Sequence, residues 1–209
     1  MLDWYFLTFF GDSMLLLPCS VILFIILITP RATRTAGWQW ALIFGCVGGL
    51  VCASKLAFMG WGIGIERYDF TGFSGHSALA ASIWPVFLWT LSGRFSHAVR
   101  SLALVVGYVL PLTIGLSRLA IQVHSPSEVI SGLALGYLAS SLFLWLQSRK
   151  ARPQLSWWQI AGALALPIVL MGHRQPAPTQ GLLEHIATAL AHIDHPYTRA
   201  DLHRLRVTP

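Results

Sequence analysis

The sequence predicts an all-α integral-membrane protein, a bundle of about six transmembrane helices. Of its 209 residues, 55% are hydrophobic and only 11% are charged, whereas roughly a quarter of the residues in a soluble domain are charged. Six apolar runs follow one another, most of them close to the ~20 residues that a helix needs to cross a bilayer. The net charge of +6 comes from short loops between these runs, so it indicates membrane orientation and not a nucleic-acid surface.

The first three apolar runs lie in the N-terminal half of the chain, at about 13–30, 38–58 and 76–91. The second run is rich in small residues, which let helices approach closely in lipid, and Lys55 lies near its end. The segment 59–75 between the second and third runs contains five glycines. This composition predicts a loop or a re-entrant turn.

The last three apolar runs are separated by short polar loops and lie at about 101–117, 127–147 and 155–172. We expect one membrane-embedded domain, residues 1–172, followed by a polar tail, residues 173–209. Within the tail, residues 181–193 alternate with helical period and predict an amphipathic surface helix. The sixth run either spans the membrane, which would place the arginines of the tail on the outer face, or skims the membrane surface.

The cations between the runs predict the orientation. Three alternate loops carry seven Arg and Lys residues, and these are 31–37, 92–100 and 148–154. The other loops, 59–75 and 118–126, carry only Arg67 and Arg118. The positive-inside rule therefore places the first set in the cytoplasm. The polar residues of the other loops then share the extracytoplasmic face of a bacterial inner membrane, with Lys55 at its edge.

The stretch 117–128, SRLAIQVHSPSE, carries a group of residues suited to phosphate chemistry. Arg118 presents a rigid fork of donors to an oxyanion. His124 is a natural nucleophile or proton carrier near neutral pH, and Glu128 can hold the far nitrogen of its imidazole. Residues 125–128 also match a capping box that starts a helix. Both interpretations of Glu128 can hold together.

A second polar cluster, FSGHS, occupies residues 73–77. A Ser74-Gly75 turn that opens a helix offers free backbone N–H groups to an anion, although the serines can also be plain N-caps. His76, on the first turn, is well placed to protonate a leaving oxygen. Lys55 either snorkels at its helix end or becomes the charge partner of a bound phosphate.

These clusters resemble the motifs of the type 2 phosphatidic acid phosphatase family, whose haloperoxidase relatives share the phosphate pocket. The family has the motifs K-x6-R-P, P-S-G-H and S-R-x5-H-x3-D, and the resemblance covers about residues 38–147. The third motif is matched with Glu in place of Asp, and the second with Phe73 in place of proline. The matching positions are Ser74, Gly75 and His76 in the second motif and Ser117, Arg118, His124 and Glu128 in the third.

The first family motif is matched only by Lys55. Gly62 and Ile63 stand where the family has Arg-Pro. Arg67 is the one nearby cation that can compensate for the missing arginine.

The resemblance implies a two-step reaction that needs neither a metal nor a cofactor. His124 would attack phosphorus to form a phosphohistidine, His76 would protonate the leaving group, and Glu128 would hold the tautomer of His124. The residues that the resemblance assigns to phosphate binding are Lys55, Arg118, Ser74, Gly75 and Ser117, with Arg67 as a possible addition. The histidines of the tail lack a recognised metal-ligand spacing, so no metal site is expected there.

The sequence therefore predicts a lipid phosphatase of the bacterial inner membrane with its active site on the periplasmic face. The expected substrate is a phosphatidic-acid-like lipid or a polyprenyl phosphate or diphosphate. Two alternatives use the same residues. One is a lipid phosphotransferase, and the other is a weakened, lipid-binding descendant, which the missing Arg-Pro motivates. A transporter is disfavoured because no charged residue lies in the middle of a run and no inverted repeat is visible.

Overall fold

The computed structural model describes residues 4–150, 153–171 and 179–204. Parts of the predicted loop 148–154 and of the tail 173–209 lie outside these ranges. The α-helices of the described residues are α1 (Trp4–Phe9), α2 (Ser13–Ile28), α3 (Arg34–Trp61), α4 (Gly75–Leu91), α5 (His97–Ala120), α6 (Pro126–Gln147), α7 (Trp157–Met171), α8 (Thr179–Ala191) and α9 (Arg199–Arg204). The only β-type pairing in the same residues is an isolated bridge between Ile65 and Phe70, so the predicted all-α class is confirmed.

Each of the six predicted apolar runs corresponds to one helix, from α2 to α7. Among the described residues, four stretches are long and apolar enough to cross a membrane: Trp4–Ile28, Arg31–Trp61, His97–Ala120 and Pro126–Gln147. Helices α4 and α7 have 17 and 15 residues and are shorter than those four. The protein is an integral-membrane helical bundle, and the number of six spans stays a prediction.

Two helix boundaries differ from those expected. Helix α3 begins at Arg34, inside the predicted loop 31–37, and it ends where Gly62 adopts a left-handed conformation with φ 67°. Helix α5 runs to Ala120, so Arg118 lies on a last helical turn and not in a loop. A cation on the last turn interacts favourably with the helix dipole, which is consistent with this longer helix.

Helix α4 is the buried centre of the bundle. Nearly all of its side chains from Ser77 onward are buried, and it packs between α5 and α6. A Cβ added at Gly136 of α6 would lie 2.3 Å from the carbonyl oxygen of Ala78. The two helices therefore touch through their backbones, a contact that only glycine permits. This contact fixes the N-terminal end of α4 beside the start of α6.

The connections that carry the predicted polar clusters meet at one end of the bundle. The backbone N–H of Ser74 donates to the carbonyl oxygen of Glu128 at 3.1 Å. The tail joins the same end, since the N–H of Tyr197 donates to the carbonyl oxygen of Met59 at 2.8 Å. The expectation that both clusters share one end of the bundle is confirmed.

The amphipathic helix predicted at 181–193 is α8, and it lies against α3. A Cβ at Gly60 would stand 3.3 Å from the Cβ of Ala191, and Ala187 is fully buried. Helix α8 is therefore not a free surface helix, because one of its faces covers the end of α3.

We expect the substitution Gly136→Ala to lower the thermal stability of the protein purified in detergent. A Cβ there would also stand 2.6 Å from that of Ala81, and overpacking a close helix contact costs about 1–3 kcal/mol. Gly162→Ala on α7 is the matched control, because nothing lies within 4 Å of a Cβ at that position and alanine favours helix. Equal melting temperatures for the two variants would contradict the close contact of α4 with α6.

Candidate active site

A cavity of about 1060 Å³ lies at the end of the bundle where the polar clusters meet. The elements α1 to α5 form its walls, and residues of α8 and α9 also line it. Five of the predicted site residues line this cavity: Lys55, Gly75, His76, Arg118 and His124. Its apolar lining includes Phe6, Phe9, Leu17 and Phe44. The cavity thus combines convergent polar groups with an apolar wall, as ligand sites commonly do.

His124 and Glu128 form a close hydrogen-bonded pair in the site. The Nδ1 atom of His124 lies 2.6 Å from Oε2 of Glu128. A carboxylate only accepts hydrogen bonds, so Nδ1 carries the proton and Nε2 keeps its lone pair. The predicted capping box is also confirmed, since Ser125 and Glu128 exchange both of its hydrogen bonds at the start of α6. The cap therefore fixes the carboxylate that fixes the imidazole.

The carboxylate of Glu128 is fully buried and is surrounded by donors. The backbone N–H of Thr71 donates to Oε1 at 2.9 Å, and the Thr71 hydroxyl donates to the same oxygen. The Nη2 atom of Arg199 lies 2.9 Å from Oε1 and 2.8 Å from Oε2. A buried charge is costly unless it is paired and hydrogen-bonded, and Glu128 meets both conditions.

Burial lowers the pKa of His124 below the ordinary imidazole value. The hydrogen bond and the charge of Glu128 act in the opposite direction, and the nearby charges of Lys55 and Arg118 lower the pKa further. Burial is the largest of these effects and sets the direction of the shift. His124 is therefore neutral near pH 7, the form in which an imidazole can act as a nucleophile.

Arg118 and Lys55 provide positive charge on the cavity wall. The Nη1 atom of Arg118 donates to the Thr8 hydroxyl at 3.2 Å, while its Nε is buried and has no partner among the described residues. The Nζ atom of Lys55 donates to the side chain of Gln180 on α8 at 3.3 Å. Both side chains line the cavity, and charged donors of this kind form strong hydrogen bonds to an oxyanion.

His76 lies on the first turn of α4, beside the turn that joins α1 to α2. Its Nε2 atom is 3.8 Å from Oδ2 of Asp12. The other carboxylate oxygen of Asp12 caps α2 by accepting from the N–H of Met14 at 2.8 Å. A Cβ at Gly11 would approach Cβ of His76 to 3.2 Å, so the turn packs directly on the histidine. No spacing or motif in the sequence indicates that Asp12 is a neighbour of His76.

The two serines predicted to bind phosphate lie behind the cavity wall. Ser74 is fully buried, and its hydroxyl lies 3.0 Å from that of Ser77. Ser117 is also fully buried and donates to the carbonyl oxygen of Ile114 at 2.6 Å. Neither serine is among the residues that line the cavity. The Ser74 hydroxyl makes no capping hydrogen bond, and the Ser117 hydroxyl also lies 2.8 Å from that of Thr8 on α1.

Arg67 also lies away from the cavity lining. It is exposed, and its guanidinium sits 5.7 Å from the centre of the Tyr68 ring. The additional arginine that does line the cavity is Arg199, which sequence reasoning missed. The one feature of the sequence that indicated Arg199 was the topology. If the sixth run spans the membrane, the arginines of the tail lie on the same face as the polar clusters.

Together these side chains can bind a tetrahedral anion and act on it. Lys55 and Arg118 supply charge, His124 supplies a neutral imidazole, and His76 supplies a second proton carrier. Within the described parts of the chain, no group of three or more His, Cys, Asp and Glu side chains is arranged to hold a metal ion.

Comparisons with known proteins agree on one family. The model of the PAP2 superfamily matches residues 18–152. An "uncharacterized 22.5 kDa protein in cps region" of Klebsiella pneumoniae is 52% identical over 206 residues, which cover 97% of this chain and 99% of that protein. The crystal structure of a transmembrane PAP2-type phosphatidylglycerolphosphate phosphatase from Bacillus subtilis aligns with a TM-score of 0.56 and 26% identity. That alignment covers 70% of this chain and 75% of the other.

We expect vanadate, a tetrahedral oxyanion, to raise the melting temperature of the purified protein and Arg118→Met to weaken that binding roughly tenfold or more. A charge-assisted hydrogen bond to an anion is worth about 1.5–3 kcal/mol. Arg100→Met is the matched control, because Arg100 also has a buried Nε with no partner in the described part of the chain but lies roughly 27 Å along α5 from Arg118. Equal losses of vanadate binding in the two variants would contradict the assignment of the anion site.

Proposed function

The chain belongs to the PAP2 superfamily, and from that premise we propose that it is an integral-membrane phosphatase that hydrolyses a lipid phosphate through a phosphohistidine on His124. The observation that carries this proposal is the 2.6 Å pair of His124 and Glu128 on the wall of a cavity that Lys55, His76 and Arg118 also line. A phosphoryl group needs a nucleophile, a proton donor and fixed positive charge, and these residues can supply all three.

In the first step, Nε2 of His124 attacks phosphorus, and the bond from phosphorus to the lipid oxygen breaks. His76 donates its proton to that oxygen as it leaves. In the second step, water attacks the phosphohistidine, His76 takes up a proton from the water, and inorganic phosphate departs from a neutral His124. Lys55 and Arg118 stabilise the charge on the equatorial oxygens through both steps.

The shape of the cavity supports a substrate with a hydrocarbon chain. The aromatic and aliphatic side chains on its wall include Phe6, Phe9 and Phe44. On the same wall, Gly45 and Gly48 of α3 leave open space, since a Cβ at either position would meet nothing within 4 Å. A lipid phosphate, such as a phosphatidic-acid-like lipid or a polyprenyl phosphate or diphosphate, can place its head group on the cations and its chain along this wall.

The charge distribution supports a periplasmic active site in a bacterial inner membrane. The basic loops 31–37 and 92–100 flank the helix ends opposite to the cavity. By the positive-inside rule these loops face the cytoplasm. The cavity then opens on the side where a lipid phosphate of the outer leaflet can enter.

We expect the full-length protein in detergent to release phosphate from a lipid phosphate in the presence of EDTA, and His124→Ala to lower kcat on the order of 10⁴-fold. His97→Ala is the matched control, because His97 is exposed at the far end of α5. Incubation with ³²P-labelled substrate followed by rapid denaturation should trap an acid-labile label on the wild type but not on His124→Ala.

Undiminished release by His124→Ala would contradict the role of this residue as nucleophile, and release that stops with EDTA would contradict metal-independent chemistry. A label that passes to an added lipid or sugar alcohol in place of water would identify a phosphotransferase.

The acid limb of the pH profile of kcat/KM should lie below pH 6.5. Burial lowers the pKa of His124 below the ordinary imidazole value, so the neutral nucleophile persists as the pH falls towards that lowered pKa. The charge of Glu128 raises the same pKa. Glu128→Gln should therefore move the acid limb to still lower pH, while kcat falls about 10²–10⁴-fold because the imidazole loses its orienting carboxylate. A limb that moves to higher pH would contradict this arrangement.

A further inference from the structure

We propose that Arg199, supplied by the C-terminal tail, is a positioning residue of the active site that holds the Glu128 carboxylate and thereby orients His124. This inference rests on the proposed function and adds a part of the chain that lies beyond the family match, which ends at residue 152. Arg199 acts through Glu128 and is not assigned a contact with the substrate.

The contact between Arg199 and Glu128 is a charged hydrogen bond to a buried group. A single nitrogen, Nη2, reaches both carboxylate oxygens at 2.9 and 2.8 Å, and Glu128 is fully buried. The second nitrogen, Nη1, pairs with the carboxylate of Asp69. Arg199 therefore bridges two carboxylates, and it is the cation that is hydrogen-bonded to Glu128. Removing one partner of such a pair leaves an uncompensated buried charge.

The tail is folded so that Arg199 is held in this position. Helix α9 begins at Arg199, and Asp201 caps it by accepting from the N–H of Thr198 at 2.9 Å and from the Thr198 hydroxyl. On the preceding side, the N–H of Tyr197 is bonded to Met59 of α3. The Tyr197 ring would lie 3.4 Å from a Cβ at Gly62, an ordinary packing distance, so the ring packs against this helix end. The backbone is thus anchored on both sides of the arginine.

The charge of Arg199 also controls how strongly Glu128 attracts the proton of His124. The charged and titratable groups around the pair are Lys55 of α3, His76 of α4, Arg118 of α5, Arg199 of α9 and Asp69 in the connection before α4. Burial acts against the charge of Arg199, but Glu128 and Asp69 outweigh it and raise the pKa of Arg199. Arg199 is therefore always charged, so it is a fixed support and not a pH switch.

The test compares full-length Arg199→Ala, Arg199→Lys and Arg204→Ala with the wild type. In Arg199→Ala we expect kcat to fall about 10- to 100-fold, as for the loss of other residues that orient a catalytic group, with KM nearly unchanged. The acid limb of kcat/KM should move to higher pH, because Glu128 without its partner favours the imidazolium. Arg199→Lys keeps the charge but not the fork, so the limb should stay near the wild-type position and part of kcat should return.

Arg204→Ala is the matched control, since Arg204 is exposed on the same short helix. It should leave kcat and the acid limb unchanged. The proposal is overturned if Arg199→Ala behaves like Arg204→Ala, or if Arg199→Ala loses activity with an unmoved limb and Arg199→Lys restores nothing. Either result would mean that Arg199 only holds the tail in place and does not orient His124.

A measurement without substrate separates this inference from the proposed function. Hydrogen exchange in the peptide that carries residues 121–130 should be faster in Arg199→Ala than in Arg204→Ala. If the wild type hydrolyses no lipid phosphate but hydrogen exchange distinguishes the variants, the proposed function is contradicted and the contact of Arg199 with Glu128 is supported. If the wild type is active but neither exchange nor the acid limb distinguishes them, the role of Arg199 fails and the function stands.

Discussion

The burial of the Glu128 carboxylate is the constraint on which the rest of the site depends. A charge without water needs donors on several sides, and here these come from separate parts of the chain. The donors are Ser125 at the cap of α6, Thr71 in the connection before α4 and Arg199 in the tail. The last partner, His124, is the one that can do chemistry. Satisfying one buried charge therefore draws three segments together around one imidazole.

The local parts of this arrangement could be predicted from the sequence, and the distant parts could not. His124 and Glu128 are four positions apart, and the capping box fixes their relation through backbone geometry alone. Lys55 belongs to a different helix, but alternation of the spans placed it on the same face as the other two. Arg199 is 71 positions from Glu128, and no period or motif connects them. The sequence therefore indicates the nearer Arg67, which lies exposed beside Tyr68.

The serines illustrate why residue type at the right spacing does not decide a role. Ser74 precedes the first residue of α4, but its hydroxyl faces that of Ser77 and its N–H bonds to α6. Ser117 lies beside Arg118 in sequence, yet the side chains of adjacent helix positions point about 100° apart. Arg118 therefore lines the cavity while Ser117 is buried behind its wall. The helix boundaries follow the same logic. The predicted apolar run ends near residue 117, but α5 continues to Ala120. A cation such as Arg118 is tolerated in the last turn of a helix.

The replacement of the first-motif Arg-Pro by Gly62 and Ile63 has a structural consequence beyond a lost cation. Gly62 adopts φ 67° to end α3, a conformation that favours glycine, and the ring of Tyr197 packs beside it. The tail packs there and brings Arg199 with it. This arginine is hydrogen-bonded to Glu128, so it does not simply restore the missing contact. In the proposed mechanism, Arg199 instead places positive charge beside the carboxylate that is hydrogen-bonded to His124, where it would act on the orientation and proton affinity of the imidazole.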